Sequence, residues 1–472
     1  MTNKKYENGL FIFRRDFRFV DNNGLYKINA LCKNIYTIFI FTPEQVSSTK
    51  NEFKSNNAVQ FMIESLMELS TAIHKSGGKL VSFYGHNDKI IYDCIKDWNI
   101  QCLGFNQDYT PYATERDDKI FQLCEKKKIN CAIGQDYYLN EPDTIFSGAG
   151  TPYQKFTPYY KTCIQSKFPL PQSNIKVHFT IPKPNENKQE TSLDKRFISL
   201  EDAMRKFTKQ NKEILVHGGR IYALKRLKHA SSSLKEYDEI RDNLTKQTSE
   251  LSAYIKFGCI SIREVYQAFR KNPEFVRQLV WRDFYANILY SFPYVLGNPM
   301  KSSYSAIRWR KSPSHFKAWC EGKTGYPIVD ASMRQMNQSG YMHNRGRLIV
   351  ASFLIKTLLI NWEEGEKYFA TMLTDYDPAS NNGNWQWVAS TGADSQPYFR
   401  IFNPWSQSVK HDPQCIFIKK WIPELQNISI KDIHTWYDSY SENKPNTNYP
   451  KPIVIYEIQR EKAIEMYKKI FI

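Results

Sequence analysis

The sequence lacks any long uninterrupted apolar run. An α-helix needs about 18 consecutive apolar residues to cross a bilayer, and the longest candidate, residues 348–362, is interrupted by Ser352, Lys356 and Thr357. We interpret this run as a buried helix. Residues 1–8 are polar and carry no secretory signal. We therefore expect an intracellular protein with no membrane partner.

Cysteine is scarce, and its spacing is uninformative. The nine cysteines are odd in number, and no two have the Cys-x-x-Cys spacing of zinc sites or redox motifs. Only Cys320 and Cys415 lie beyond residue 259, too few for an iron–sulfur cluster in that half. The pattern predicts no metal site and free thiols in a reducing compartment, the cytoplasm or, in a eukaryote, the nucleus.

Two common catalytic patterns are also missing. The first predicted strand is followed by Arg-Arg-Asp-Phe-Arg at 14–18 and not by Gly-x-Gly-x-x-Gly, which argues against dinucleotide binding at that turn. The polar stretch 375–387 holds no Ser/His or Cys/His pair. Its amides, carboxylates and indoles suit a cofactor that performs its own chemistry. The alternative is a tight Asn-Asn-Gly turn followed by a helix with core tryptophans.

The chain has an excess of positive charge and of aromatic rings. Lys and Arg number 65 against 48 Asp and Glu, a net charge of +17, and aromatic residues make up 15%. A protein this basic is attracted to polyanions, with nucleic acid as the first candidate. A Lys-rich proteome is the alternative source of the surplus.

The periodicity of the apolar residues divides the chain, whose 472 residues predict two or three domains. Residues 1–134 alternate five short apolar runs with helical patterns, which predicts an α/β domain with a five-stranded parallel, Rossmann-like sheet. Residues 135–205 are broken by prolines and predict a linker, whose aromatic stretch 151–160 should pack on the domains. Helical patterns dominate residues 206–472 and predict an all-α domain.

Four separated motifs resemble those of the photolyase/cryptochrome family. They are Trp-Arg-Asp-Phe-Tyr at 281–285, Gly-Lys-Thr-Gly-Tyr-Pro-Ile-Val-Asp at 322–330, Met-His-Asn-Arg at 342–345 and Asn-Asn-Gly-Asn-Trp-Gln-Trp at 381–387. Matches at 13–18 and 248–252 extend the resemblance over nearly the whole chain. It is closest to class I photolyases that repair cyclobutane pyrimidine dimers. The resemblance implies an α/β domain, a linker and a helical domain that binds FAD.

The resemblance also implies the residues of the flavin site. Asn381 would face the reactive edge of the flavin ring and tune its redox state. Glu250 stands where many members have Arg, a change expected to weaken a phosphate contact. The implied cofactor-binding residues are Tyr237, Thr248, Ser249, Glu250, Leu251, Ser252, Asp375, Tyr376, Asp377 and Asn381.

By the same resemblance, Trp385, Trp362 and Trp309 match a chain of tryptophans that relays electrons to the flavin. Ordinary core packing is the alternative for them. Trp281 would stack on a flipped-out lesion, with Trp387 as the facing wall. The implied DNA-binding residues are Arg241, Gln278, Trp281, Arg282, Tyr285, Asn344, Arg345, Trp387 and Gln407.

The implied function is light-driven DNA repair, in which reduced FAD passes one electron to a cyclobutane pyrimidine dimer and splits it into monomers. Gln278 would contact the lesion, but many dimer-repairing members have Glu there, and (6-4) photolyases have Gln. A (6-4) photolyase is therefore an alternative, although the motif at 342–345 lacks the adjacent His-His pair of those enzymes. A cryptochrome photoreceptor without repair is another, and its long tail is not expected here. An inactive basic nucleic-acid-binding protein is the third.

A second chromophore is implied by residues 106–117, which resemble the family's light-harvesting region. Folate-using relatives have Asn-Glu where this chain has Tyr112-Ala113. Without that carboxylate we expect deazaflavin or flavin in preference to folate, with an empty site as the alternative. We expect a monomer whose partner is UV-damaged DNA.

Overall fold

The computed structural model describes residues 4–172, 175–183, 191–234, 236–443 and 446–470. Residues 184–190 of the predicted linker lie outside these ranges. The N-terminal part is built on one parallel sheet, in the order β3-β2-β1-β4-β5. Its strands are β1 Tyr6–Phe13, β2 Cys32–Phe41, β3 Leu80–Tyr84, β4 Cys102–Asn106 and β5 Asn130–Gly134. Each coincides with a predicted apolar run, so the predicted α/β fold is confirmed.

Helices make up most of the remainder, and among the described residues none is long and apolar enough to cross a bilayer. They are α1 Asn23–Leu31, α2 Pro43–Val46, α3 Asn56–Lys75, α4 Asn87–Asp97, α5 Pro111–Lys127, α6 Phe156–Cys163, α7 Leu200–Phe207, α8 Arg220–Ser233, α9 Tyr237–Ile240, α10 Ser252–Lys256, α11 Ile262–Phe269, α12 Pro273–Ser291, α13 Pro313–Glu321, α14 Pro327–Ser339, α15 Asn344–Lys356, α16 Trp362–Met372, α17 Pro378–Ala389, α18 Pro404–His411, α19 Ile416–Trp421, α20 Ile430–His434, α21 Trp436–Asn443 and α22 Tyr456–Lys468.

The two faces of the sheet are packed differently. Side chains alternate between faces along a strand. The phenylalanines of β1 and β2 share one face with Ile35, and the other face carries Leu10, Ile12, Ile38 and Ile40. The phenylalanine face packs on α3 and continues into the helical part, where Phe61 of α3 contacts Tyr254 and Phe257 with ring centroids 5.2 Å apart. One hydrophobic core therefore joins the α/β part to the helical part.

Buried ion pairs reinforce this junction. Arg18, in the loop after β1, pairs with Asp136 at 2.6 Å, and Arg263 of α11 pairs with Asp136 at 2.7 Å and with Asp21 at 2.9 Å. All four side chains are at most 3% exposed. We call these residues the interdomain ion cluster. The segment that replaces a glycine-rich turn therefore serves as a structural anchor.

The aromatic part of the linker packs as predicted. Helix α6 lies on α12, where the Phe156 ring stacks on Trp281 with centroids 3.6 Å apart and planes 6° apart. Tyr159 packs on Phe284, with centroids 5.3 Å apart. The linker thus packs against α12, the helix that carries several of the predicted DNA-binding residues.

One local expectation in the helical part is wrong, and one alternative does not hold. The predicted helix 348–362 ends at Lys356, since Leu359 adopts a left-handed backbone with φ 60° and a new helix starts at Trp362. The Asn-Asn-Gly alternative turn is absent, because α17 runs through it from its N-cap, Asp377, whose carboxylate accepts the Ser380 N–H at 3.1 Å. Gly383 is needed for packing, since a Cβ there would lie 2.1 Å from the Tyr285 ring.

Candidate functional site

A branched cleft in the helical part brings together most of the predicted site residues. Its three connected cavities measure about 560, 420 and 100 Å³ and share Asn344, Arg347, Leu348 and Asp375 as walls. We call it the central cleft. The predicted residues that line it are Tyr237, Arg241, Thr248, Ser249, Glu250, Leu251, Ser252, Gln278, Trp281, Arg282, Tyr285, Asn344, Arg345, Asp375, Tyr376, Asp377, Asn381, Trp385 and Trp387.

The smallest branch of the cleft, of about 100 Å³, is lined by the side-chain amide of Asn381. The Asn381 Nδ2 donates to the Glu366 carbonyl at 3.0 Å. This bond fixes which end of the amide is the donor, and it leaves the Asn381 oxygen able to accept a hydrogen bond from a ligand. Burial raises the pKa of Glu366 to about 7, and Asn382 donates to its carboxyl at 3.1 Å. Sequence reasoning missed Glu366, for which no local signal exists.

The loop 248–252 is held by an arginine that sequence reasoning also missed. Arg226 of α8 donates to the carbonyls of Ser249 at 2.8 Å and Thr248 at 2.7 Å, and it pairs with Glu250 at 2.9 Å. Burial raises the pKa of Glu250, and Arg226 opposes that rise. Glu250, which stands where many family members have Arg, is therefore paired with the cation of Arg226. The spacing of the two residues in the sequence does not show that they are in contact.

Two carboxylates on the opposite wall are fixed by cations. Asp375 pairs with Arg347 at 2.9 Å, and Asp377 pairs with Arg15 at 3.1 Å. Burial alone would raise the pKa of Asp377, but Arg15 and Arg282 lower it below the ordinary value. Asp377 therefore stays ionised and can accept hydrogen bonds from ligand hydroxyls while it caps α17.

A second cavity, of about 260 Å³, lies beside the carboxyl end of β1 in the α/β part. Its walls include Asp108, Tyr112, Ala113 and Arg116 from the predicted chromophore region. We call it the edge cavity. Lys256 lines both this cavity and the central cleft, and burial lowers its pKa to about 8. Two ligand spaces therefore lie close together, with a cation between them.

The largest branch of the cleft, of about 560 Å³, has a flat aromatic wall. Trp281 and Trp387 both line it, together with Gln278. The covered face of Trp281 is backed by Phe156, which was not predicted as a site residue although it belongs to the aromatic stretch 151–160. The arginines here are already paired, Arg345 with Asp242 at 2.6 Å and Arg241 with Glu274 at 3.7 Å.

Three predicted residues are not among the cleft walls. Trp362 is 1% exposed and belongs to the same hydrophobic cluster as Trp385, and Trp309 packs on that cluster from the surface. The recorded ring contacts of Trp385 are with Phe369 at 4.9 Å and with Trp319 at 6.2 Å. Gln407 lies on α18, outside the cleft walls.

Within the described ranges, no group of three or more His, Cys, Asp and Glu side chains is arranged to hold a metal ion. The same ranges contain nine free cysteines. The walls of the central cleft carry amides, hydroxyls, ion pairs and aromatic rings.

Comparison with known proteins gives the same picture along the whole chain. The family model for DNA photolyase matches residues 10–175, and that for the FAD binding domain of DNA photolyase matches residues 275–469. A deoxyribodipyrimidine photo-lyase of Halobacterium salinarum is 33% identical over 490 aligned residues, covering 98% of both chains. The crystal structure of an archaeal photolyase from Sulfolobus tokodaii with two FAD molecules is 37% identical, with a TM-score of 0.86, and covers 98% of this chain and 100% of that one. A Synechocystis cryptochrome structure is 26% identical, with a TM-score of 0.87, over 99% and 100%.

The two matched regions coincide with the two parts of the fold. The sheet lies within the DNA photolyase match except for the first four residues of β1, and most of the central cleft lies within the FAD-binding match. The helical part is therefore an FAD-binding domain of the photolyase type, which confirms the predicted flavin cofactor. With both domain types present and a curated relative 33% identical over nearly its full length, the chain belongs to the photolyase/cryptochrome family.

Proposed function

We propose that this protein is a deoxyribodipyrimidine photolyase that splits cyclobutane pyrimidine dimers in DNA by light. One observation carries the proposal: the aromatic wall of Trp281 and Trp387 and the amide of Asn381 belong to branches of one cleft. A stacked base and a flavin ring could therefore be held as neighbours. When bound and reduced, FAD held in this cleft would supply on excitation the electron that opens the cyclobutane ring.

The residues of the cleft fit FAD. Hydroxyls and backbone amides at 248–252 suit phosphate oxygens, and Arg226 offsets the charge of Glu250 beside them. Asp375 and Asp377 suit sugar and ribityl hydroxyls, and the Asn381 oxygen suits a ring N–H. None of these groups has to transfer a proton, so the chain contributes position, hydrogen bonds and exclusion of water.

The lesion would be held by the wider branch. The Trp281 ring, braced by Phe156, offers a flat face to an extruded base, and Gln278 can both donate to and accept from the base edges. DNA phosphates would compete with Asp242 and Glu274 for Arg345 and Arg241, so binding should weaken as salt rises.

The edge cavity suits a second, light-harvesting chromophore of the flavin or deazaflavin type. The Sulfolobus tokodaii photolyase holds two FAD molecules. Here Arg14, Arg15 and Arg116 line the cavity, and Ala113 offers no carboxylate to clasp a pterin. The division into residues 1–134, 135–205 and 206–472, the monomeric state and residence in a reducing compartment belong to the same proposal.

Illumination with defined lesions tests the proposal. The reduced protein should restore intact thymines in an oligonucleotide with a cyclobutane dimer and leave a (6-4) oligonucleotide unchanged. The reverse result would make it a (6-4) photolyase, the alternative that Gln278 favours. Repair of neither by a flavin-loaded, photoreducible protein would make it a photoreceptor.

Phe156→Ala is expected to weaken binding of dimer-containing DNA about tenfold, because base–aromatic stacking contributes about 1–3 kcal/mol and depends on a fixed ring. Fluorescence anisotropy with damaged and undamaged duplexes measures the effect. Tyr160→Ala is the control, since the Tyr160 ring stacks on Phe156 and has no recorded ring contact with Trp281. Equal losses on both duplexes would contradict a role in lesion stacking.

A further inference from the structure

Trp309 is half-buried and belongs to a group of aromatic rings that lies outside the walls of the central cleft and includes one fully buried ring, Tyr467. Its ring packs edge-on against Tyr467, with centroids 6.3 Å apart. Tyr467 stacks on Tyr398 at 5.8 Å and contacts Tyr304 at 6.2 Å. We call these four rings the exit cluster. On its inner side, Trp309 packs on the hydrophobic cluster that contains Trp362 and Trp385.

Exposed cations lie close in the sequence to two rings of the exit cluster. Arg308, Arg310 and Lys311 flank Trp309 in the sequence, and Arg400 follows Tyr398 by two residues; all four side chains are exposed. In the described ranges, none of the four lies within ion-pair distance of a carboxylate. We call them the exit cations.

This lack of partners distinguishes the exit cations from the arginines of the central cleft. Arg226, Arg345 and Arg347 each pair with a carboxylate at 2.6–2.9 Å. Glu321, the carboxylate nearest in sequence beyond Trp309, leaves the exit cations unpaired, since it pairs with Lys317 and Lys323. Among the residues that the structure describes, no carboxylate forms an ion pair with these cations, and the field that they produce around the exit cluster is positive.

A buried lysine adds to this field from beneath. Lys356 is fully buried, and its Nζ donates to the Arg400 carbonyl and to the Ser390 hydroxyl, both at 3.1 Å. Its ammonium lies 5.8 Å from the centre of the Tyr467 ring. Burial lowers the pKa of Lys356 to about 7, so it carries part of a positive charge at neutral pH.

We propose that the exit cations form a docking surface for a small anionic one-electron reductant, such as an enediolate or a thiolate. This reductant returns one electron to the oxidised ring of Trp309. The proposal rests on the proposed electron relay. The anion loses one electron and the oxidised Trp309 ring gains it; if the indole has lost its N–H proton, it regains one from water. Local positive potential raises the concentration and the encounter rate of an anion and leaves a neutral donor unaffected.

Fluorescence quenching tests the surface without any photochemistry. Trp309 emission in the holoenzyme is obtained as the difference between the native protein and Trp309→Phe, with iodide as the anionic quencher and acrylamide as the neutral one. The iodide-to-acrylamide ratio should fall about threefold in Arg308→Gln/Arg310→Gln/Lys311→Gln. It should not change in Lys126→Gln/Lys127→Gln/Lys128→Gln, which removes the same charge from an exposed run at the end of α5. Equal ratios in the two variants would overturn the proposal.

Flash photolysis tests the electron transfer. After a flash on the oxidised enzyme, the rate constant for reaction of the aromatic radical with ferrocyanide should fall about tenfold in the Arg308/Arg310/Lys311 variant and with added salt. The rate constant with hydroquinone, a neutral donor, should not change. Equal effects on both donors would overturn the proposal. Failure to form any aromatic radical would instead refute the electron relay. The iodide-to-acrylamide quenching ratio would then still test whether the exit cations attract an anion.

Discussion

Trp385→Phe is expected to reduce light-driven reduction of the oxidised flavoprotein to background while repair by chemically reduced protein stays near the native rate. Trp385 is 3% exposed and lines the narrow branch of the cleft beside Asn381. Phenylalanine fills much of the same space but is far harder to oxidise than indole. The flavin absorbance under illumination with a reductant gives the first rate, and dimer splitting by dithionite-reduced protein gives the second.

Trp319→Phe is the matched control for this experiment. Trp319 is fully buried and lies 6.2 Å from Trp385, but it is not one of the predicted relay residues. Its replacement should preserve both rates. Loss of photoreduction in Trp319→Phe and its retention in Trp385→Phe would show that electrons follow another route. Loss of repair in both would point to disturbed packing around the cleft.

Arg263→Met is expected to lower the free energy of unfolding by about 3–5 kcal/mol, since removing one partner from a buried ion pair leaves uncompensated charge. Asp21 and Asp136 are both 0% exposed; Asp21 would lose its ion-pair partner, and Asp136 would keep only Arg18. Urea unfolding followed by circular dichroism and by flavin release measures the change, with both probes needed because a protein of this size need not unfold in one step.

Arg205→Met provides the comparison for the interdomain ion cluster. Arg205 pairs with Asp202 on α7, but its side chain is 74% exposed. An exposed pair contributes little, so this variant should unfold at nearly the native urea concentration. If Arg263→Met and Arg205→Met unfold at similar urea concentrations, the buried interdomain ion cluster contributes no more to stability than an exposed ion pair.

The parts of the structure that were predictable depend on local signals. Five apolar runs predicted five strands, and the aromatic stretch 151–160 predicted a packed linker. Both predictions were possible because the apolar pattern of neighbouring residues indicates which of them are buried and in which secondary structure. The helix end at Lys356 was missed, since the left-handed Leu359 is set by its surroundings. The Asn-Asn-Gly stretch is helical because α17 packs on α12, and such tertiary contacts override turn propensity.

The site was predictable where motifs resemble a family and not where contacts are made at a distance. The positions of Asn381 and Trp281 in the cleft followed from their motifs. Arg226 beside Glu250 and Phe156 behind Trp281 join residues 24 and 125 positions apart in the sequence, and no periodicity encodes such pairs. The unpaired state of Arg308 and Arg310 likewise depends on where the carboxylates of the folded chain lie.

The shared hydrophobic core also has a consequence for synthesis on the ribosome. Phe61 is made about 200 residues before its ring partners Tyr254 and Phe257. At about 5–20 residues per second, the nascent α/β part waits on the order of 10–40 s with that apolar surface uncovered. The growing chain therefore offers a binding surface to chaperones during this interval, and one to other nascent chains if chaperones are scarce.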